Sequence, residues 1–115
     1  MAEKAESAGE VLCGANSYEE KYYFNDKFSN LPQGIKDELK ILCVLYTEEC
    51  GGIVTLEFLP DGTLIFRTMA DDGDFYYDEI EAGLQIRRLQ KEKEELFSAL
   101  ELYYRTFVLG EEMNE

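Results

Sequence analysis

The stretch Gly51–Met69, GGIVTLEFLPDGTLIFRTM, decides the fold. Two β-rich runs, Ile53–Leu59 and Thr63–Met69, flank Pro60-Asp61-Gly62. Proline pre-sets φ for the second position of a type I turn, aspartate suits the third, and glycine takes the left-handed residue that follows. This is the three-residue hairpin loop with a glycine bulge. With Leu59 facing Thr63, Phe58 falls opposite Leu64, Leu56 opposite Phe66 and Val54 opposite Thr68. Side chains alternate along a strand, so one face carries Val54, Leu56, Phe58, Leu64 and Phe66. The other carries Thr55, Glu57, Thr63 and Arg67, with Ile53, Ile65 and Met69 among them. Slipping the register by one residue would turn the apolar set to solvent. A lone hairpin is marginal in water, so helices must cover its apolar face.

Working outward, Asn30-Leu31-Pro32 opens the preceding element, and proline suits a first helical turn. Ile35, Leu39, Leu42 and Tyr46 recur at helical spacing. The run Ile41–Tyr46 is apolar on nearly every side. It reads as a helix buried on most of its circumference, with a strand as the rival, and Gly51-Gly52 supplies the stop. Further upstream, Ser17 and Glu20 match a capping box, which predicts a short helix from Tyr18 to about Phe24. A strand through Tyr22-Tyr23-Phe24 is the alternative there. Val11-Leu12-Cys13 reads as an edge strand or a docking patch.

Downstream, Ala70–Asp74 is a turn by composition. Phe75-Tyr76-Tyr77 reads as a third strand or a packed lead-in. Asp78 is a good N-cap with acidic residues behind it, so a long helix is expected from there to about Val108. Its apolar residues form two stripes, Ile80, Leu84, Ile86 and Leu89, then Leu96, Phe97, Leu100, Tyr103, Tyr104 and Phe107. Between them Gln90–Glu95 is wholly polar, which implies emergence into solvent, a bend, or a second molecule alongside. The expected architecture is one two-layer α+β domain over residues 11–110. An antiparallel hairpin of two or three strands packs on a buried helix and a long C-terminal helix. Residues 1–10 and 111–115 are expected to be disordered tails.

Composition narrows the function. The chain has 115 residues, enough for one core, and at 45% hydrophobic it is a folding sequence rather than a disordered one. Net charge is −14, a field that repels nucleic acid and anionic membranes and favours a basic partner. No apolar run reaches the ~18–20 residues that span a bilayer. The N-terminus lacks a secretory pattern, so a cytoplasmic location is expected. Histidine is absent, which removes the usual general base, the usual metal ligand and every Ser-His or Cys-His pair. Cys13, Cys43 and Cys50 are odd in number without CxxC spacing, as befits reduced thiols.

The segments ANSYEEKYYFN (15–25), LPQGIKDELKILCVLYTEECGGIVTLEF (31–58) and DFYYDEIEAGLQIRRLQKEKEELFSALELYYRTFVLG (74–110) together resemble a family of small acidic bacterial proteins known only as a domain of unknown function. The resemblance covers nearly the whole chain beyond the first ten residues. It implies a single-domain bacterial cytoplasmic protein and brings no catalytic motif.

Several local features invite a functional reading. Asp71, Asp72 and Asp74, with Asp78 and Glu79, carry oxygen ligands for a divalent cation. Their spacing departs from an EF-hand, and a turn with a helix cap accounts for them, so no metal or cofactor is expected. Cys50 sits beside Glu48 and Glu49 at a helix C-terminus, which disfavours the thiolate. Cys43 reads as core. In each of the pairs Tyr22-Tyr23, Tyr76-Tyr77 and Tyr103-Tyr104, one ring is expected to enter the core and the other to reach the rim. Arg87, Arg88, Lys91 and Lys93 interleave with glutamates, as on an exposed salt-bridged helix face or a contact with a second copy.

The leading expectation is a non-enzymatic protein-interaction module that self-associates through the long helix and the hairpin's second face. Its candidate interface residues are Ile53, Ile65, Met69, Arg87, Arg88, Lys91 and Tyr104. The alternative is an acidic inhibitor or antitoxin-like protein that covers a basic surface. An enzyme or small-molecule-binding domain comes third, since it would need paired carboxylates with separated pKa values or a bound metal.

Overall fold

The computed structural model describes residues 9–110. Among them, strands β1 (Glu10–Asn16), β2 (Lys21–Phe24), β3 (Ile53–Phe58) and β4 (Leu64–Met69) form one antiparallel sheet in the order β2-β1-β3-β4. The helices are α1 (Gln33–Cys50), α2 (Glu79–Glu92) and α3 (Glu94–Tyr103), with a 3-10 turn at Asp26–Phe28 and a π turn at Tyr104–Val108. The architecture is α+β, with a C-terminal helical segment as expected.

The central hairpin has the register its turn dictates: Phe58 opposite Leu64, Leu56 opposite Phe66, Val54 opposite Thr68. The N–H of Leu59 donates to the Thr63 carbonyl at 2.7 Å, and Gly62 donates back to Leu59 at 2.8 Å. Gly62 takes φ +94°, and a Cβ there would stand 2.7 Å from Arg105 Cγ. Arg105 Nε in turn donates to the Asp61 carbonyl at 3.1 Å. The turn therefore receives the end of the helical layer, and glycine is required both for its dihedral and for that approach.

Two strands precede the hairpin, at the two places where the sequence offered one as an alternative: β1 over Val11-Leu12-Cys13 and β2 over Tyr22-Tyr23-Phe24. Val11-Leu12-Cys13 is no edge: β1 is an inner strand, paired on one side with β2 and on the other with β3. Leu12, Cys13, Gly14 and Ala15 are all buried. The helix expected over 18–24 is instead a turn followed by β2. Asn16, not Ser17, caps the turn, accepting from the N–H groups of Tyr18 at 2.9 Å and Glu19 at 3.2 Å. A seven-residue helix is far below the length that is stable without packing, about 12–15 residues. As a strand, the segment instead sets Tyr22 and Phe24 opposite Ala15 and Cys13 on the core face. The expected N-terminal tail lies outside the described residues except for Gly9 and Glu10, and Glu10 already pairs with Phe58. The expected tail at 111–115 lies outside them entirely.

One sheet face is covered by helices. Leu39, Leu42, Cys43 and Tyr46 of α1 join Cys13, Ala15, Val54, Leu56 and Phe58 in the core. Phe28 and Leu31 close one end of it. Phe58 and Tyr104 stack with centroids 4.1 Å apart and planes 12° apart, and the Phe28 ring lies 5.6 Å from Phe58. Phe97 meets Phe66 edge to face at 5.4 Å. Among the described residues no helix covers the other sheet face, where Arg67 is bonded to Glu57 at 2.8 Å and Thr55 donates to Glu57 at 3.0 Å.

Phe75-Tyr76-Tyr77 is a lead-in and not a strand. Phe75 and Tyr76 are almost fully exposed, while Tyr77 turns inward over Gly52. Its hydroxyl lies 3.2 Å from that of Tyr46. Asp78 caps α2 as expected, accepting from Ile80 N–H at 3.0 Å and Glu81 N–H at 3.2 Å. Within the acidic turn the Tyr18 hydroxyl donates to Asp74 at 2.5 Å and accepts from the Asp71 N–H at 3.1 Å. In each tyrosine pair one ring points in (Tyr22, Tyr77, Tyr104) and its neighbour is the more exposed.

The long C-terminal helix is broken. Lys93, in the wholly polar stretch, takes φ −111° and ψ 27° and ends α2. Its ammonium donates to Glu38 of α1 at 2.8 Å, and α3 restarts from Glu94. The bend lets α2 lie on α1 while α3 packs against β4.

The core placement of Tyr104, only 4% exposed, makes a direct prediction. Tyr104→Ala should lose about 3–5 kcal/mol by urea denaturation, the cost of emptying a buried aromatic site. Tyr104→Phe should lose far less, because the ring supplies the packing. An alanine variant as stable as the parent would contradict this core.

The thiols give a second prediction. Cys13 and Cys43 are buried with sulfurs 3.9 Å apart. The hydrogen bond to Cys13, and then burial, push the Cys43 thiol up. Partial burial and then the Glu49, Glu81 and Asp78 carboxylates raise the Cys50 thiol. Native-state alkylation should therefore modify one thiol, Cys50, with a pH midpoint above that of free cysteine, since the thiolate is the reactive form. The other two should react only on unfolding, and three fast native thiols would be inconsistent with this packing.

Candidate interaction groove between α1 and α2

Helix α1 is committed to the sheet through Leu39, Leu42, Cys43 and Tyr46. The spacing that aims those residues inward aims Ile41 and Leu45, one turn apart, away from the core. They are 57% and 56% exposed. The apolar run 41–46 was expected to be buried on most of its circumference, and these two residues overturn that. The helix is apolar on a side that nothing among the described residues covers.

Helix α2 runs antiparallel beside that ridge and is pinned to α1 at two points. Lys93 bonds Glu38 at one end, and the side-chain amide of Gln85 donates to Glu49 at the other. Gln85 is buried, so its amide needs that partner. Glu38 raises the pKa of Lys93 through this hydrogen bond. Between the two clamps lies a groove of about 510 Å³. Leu42, Tyr46 and Leu89 form its floor, and Ile41 and Leu45 its outer ridge. Its rim carries Asp37, Glu38, Glu49 and Glu92 against Arg88 and Lys93.

A second hollow, of about 760 Å³, lies between the β1–β2 turn and α1. Glu20, Lys21, Lys40 and Glu48 line much of it, and Lys40 already stands over the Tyr22 ring at 6.0 Å. Size does not decide between the two. Binding grooves are largely apolar with a few polar groups at the margin, and the α1–α2 groove has that make-up. Among the described residues no three of Cys, Asp and Glu stand together as a metal site.

The candidate interface residues fall on separate surfaces. Ile53 and Met69 are direct cross-strand partners, and Ile65, opposite Glu57, shares their open sheet face. Arg87, Arg88 and Lys91 are exposed on α2, in the helical layer, and of the three only Arg88 lines the groove. Tyr104 belongs to neither surface, being stacked on Phe58 in the core. Sequence reasoning missed Ile41 and Leu45. The signal was their i, i+4 spacing, masked by apolar neighbours at 42 to 44.

No curated protein and no solved structure matches the chain. Among the described residues no helix is long and apolar enough to cross a membrane. A family model does match, and it spans residues 9–112, which takes in every strand and helix described above. The chain therefore belongs to DUF6145, a family of unknown function.

Proposed function

We propose that the protein is a non-enzymatic, cytoplasmic protein-interaction module that uses the α1–α2 groove as its contact surface. One observation carries the reading: Ile41 and Leu45 stand more than half exposed on a helix whose other side is core. Burying such a side chain is worth about 1.5–3 kcal/mol. An apolar ridge rimmed by charge is the kind of patch that marks a binding surface. The polar groups around it are already paired in ways that shape the groove, Glu38 with Lys93 and Glu49 with Gln85. These pairings hold the two ends of the groove in shape, which supports its use as a docking surface.

Self-association through the open sheet face is a second reading, favoured by Met69 at 53% exposure beside the half-buried Ile53. The β4 edge beside it has no strand partner among the described residues, and such edges template pairing with another chain.

A photo-crosslinking amino acid placed at Leu45 and, separately, at Met69 tests both readings in intact cells. Position 45 should give a discrete adduct that is absent when the probe stands at exposed Glu19. An adduct from position 69 at twice the 13.3 kDa of one chain would establish the sheet-face dimer. If Leu45 yields nothing beyond the Glu19 control, the groove is not a contact surface.

A further inference from the structure

We infer that the groove's occupant is an amphipathic helix with lysine or arginine flanking its apolar stripe, an inference that rests on the groove being the contact surface. The lining runs from Gly34 to Glu49 on α1, about 22 Å at 1.5 Å per residue. That is roughly four helical turns, which accommodates the about two turns over which anchors at i, i+3, i+4 and i+7 engage an apolar groove. An extended strand fits less well. Strand addition needs unpaired backbone N–H and C=O groups, and these walls are helices whose backbone bonds are satisfied internally.

Charge selects the partner. The rim holds four carboxylates against two cations, and one of those cations, Lys93, is already spent on Glu38. Asp37, Glu49 and Glu92 are left facing an occupant with Arg88 as the only other cation in the lining. The whole chain carries −14, which extends the same sign beyond the groove and steers a cationic partner toward it. A second copy would bring another −14. In a two-fold contact it would also set this acidic rim against itself, because both subunits then use the same patch.

The test uses the full chain and a fluorescein-labelled synthetic peptide of about fifteen residues, the length set by the lining. Leucines occupy one helical stripe and lysines the remaining positions. Fluorescence polarisation is read at low and moderate salt. Controls are a scrambled peptide of the same composition and a leucine–glutamate peptide with the same stripe. The Leu/Lys helix should bind. Scrambling the stripe, or the double substitution Ile41→Asn/Leu45→Asn, should weaken it by about tenfold or more. Both positions are exposed, so the fold should survive, and urea denaturation verifies it. Asp37→Asn/Glu92→Gln should weaken binding several-fold and flatten its salt dependence.

Equal binding of the scrambled peptide, or an unaffected double variant, would reduce the attraction to diffuse charge and overturn the inference. So would equal binding of the leucine–glutamate helix. No peptide binding together with a chain–chain adduct from Leu45 would make a second copy the occupant. That outcome ends this inference and leaves the interaction-module reading standing. Absence of both peptide binding and any Leu45 adduct ends the two together.

Discussion

Strand β1 is the constraint on which the rest depends. It is hydrogen-bonded along both sides, to β2 and to β3, and its buried residues put Cys13 against Cys43 of α1. Both ends are tied. Glu10 pairs with Lys27, and the Asn25 side chain donates to the Val11 carbonyl at 2.8 Å. Without β1 the β3–β4 hairpin would be a two-stranded ribbon with half a core, which water does not sustain. With it, the sheet is wide enough for α1 to lie across and commit one side of its surface.

That commitment produces the groove. An α-helix in a two-layer fold can aim only one stripe at the sheet, and the apolar run 41–46 is wider than one stripe. Leu42, Cys43 and Tyr46 go in, and Ile41 and Leu45 remain out. Helix α2 could have covered them, but its own buried residues are Ala82 and Gln85. It meets α1 through a small contact and two polar clamps. The break at Lys93 then sends α3 back to Phe66 and Phe58, where Phe97 and Tyr104 complete the core. Stability and exposure thus come from one arrangement: the C-terminal segment is spent on the β3–β4 half of the sheet, and α1 keeps a bare ridge.

Much of this was legible where local chemistry and tertiary packing agree. Pro60-Asp61-Gly62 fixed the turn, the turn fixed the register, and alternation then named the buried face. Asp78 announced its helix, and the adjacent tyrosines sorted inward and outward as consecutive residues must. The sequence misled where a local signal competed with a distant partner. Ser17 and Glu20 imitate a helix start, yet the strand that captures Tyr22 and Phe24 lies upstream in β1. The polar run Gln90–Glu95 advertised an interruption, but its geometry depends on Glu38, 55 residues away from Lys93. Tyr104 sat on a helical stripe that periodicity alone could assign to a core or to a partner, and only the Phe58 ring decides it. The groove was least legible of all, because an all-apolar run hides which of its faces will be left uncovered.

The central claim is that the bare ridge of α1 is where the protein meets its partner. Methyl-labelled isoleucine and leucine spectra, recorded on the purified protein and again in lysate from its own cells, report on it directly. The account predicts that the methyl signals of Ile41 and Leu45 shift or broaden in lysate while those of buried Leu12 and Leu56 hold their positions. Unchanged Ile41 and Leu45 signals, with changes confined to Ile53 and Ile65 on the sheet, would contradict it and move the contact surface to the other side of the molecule.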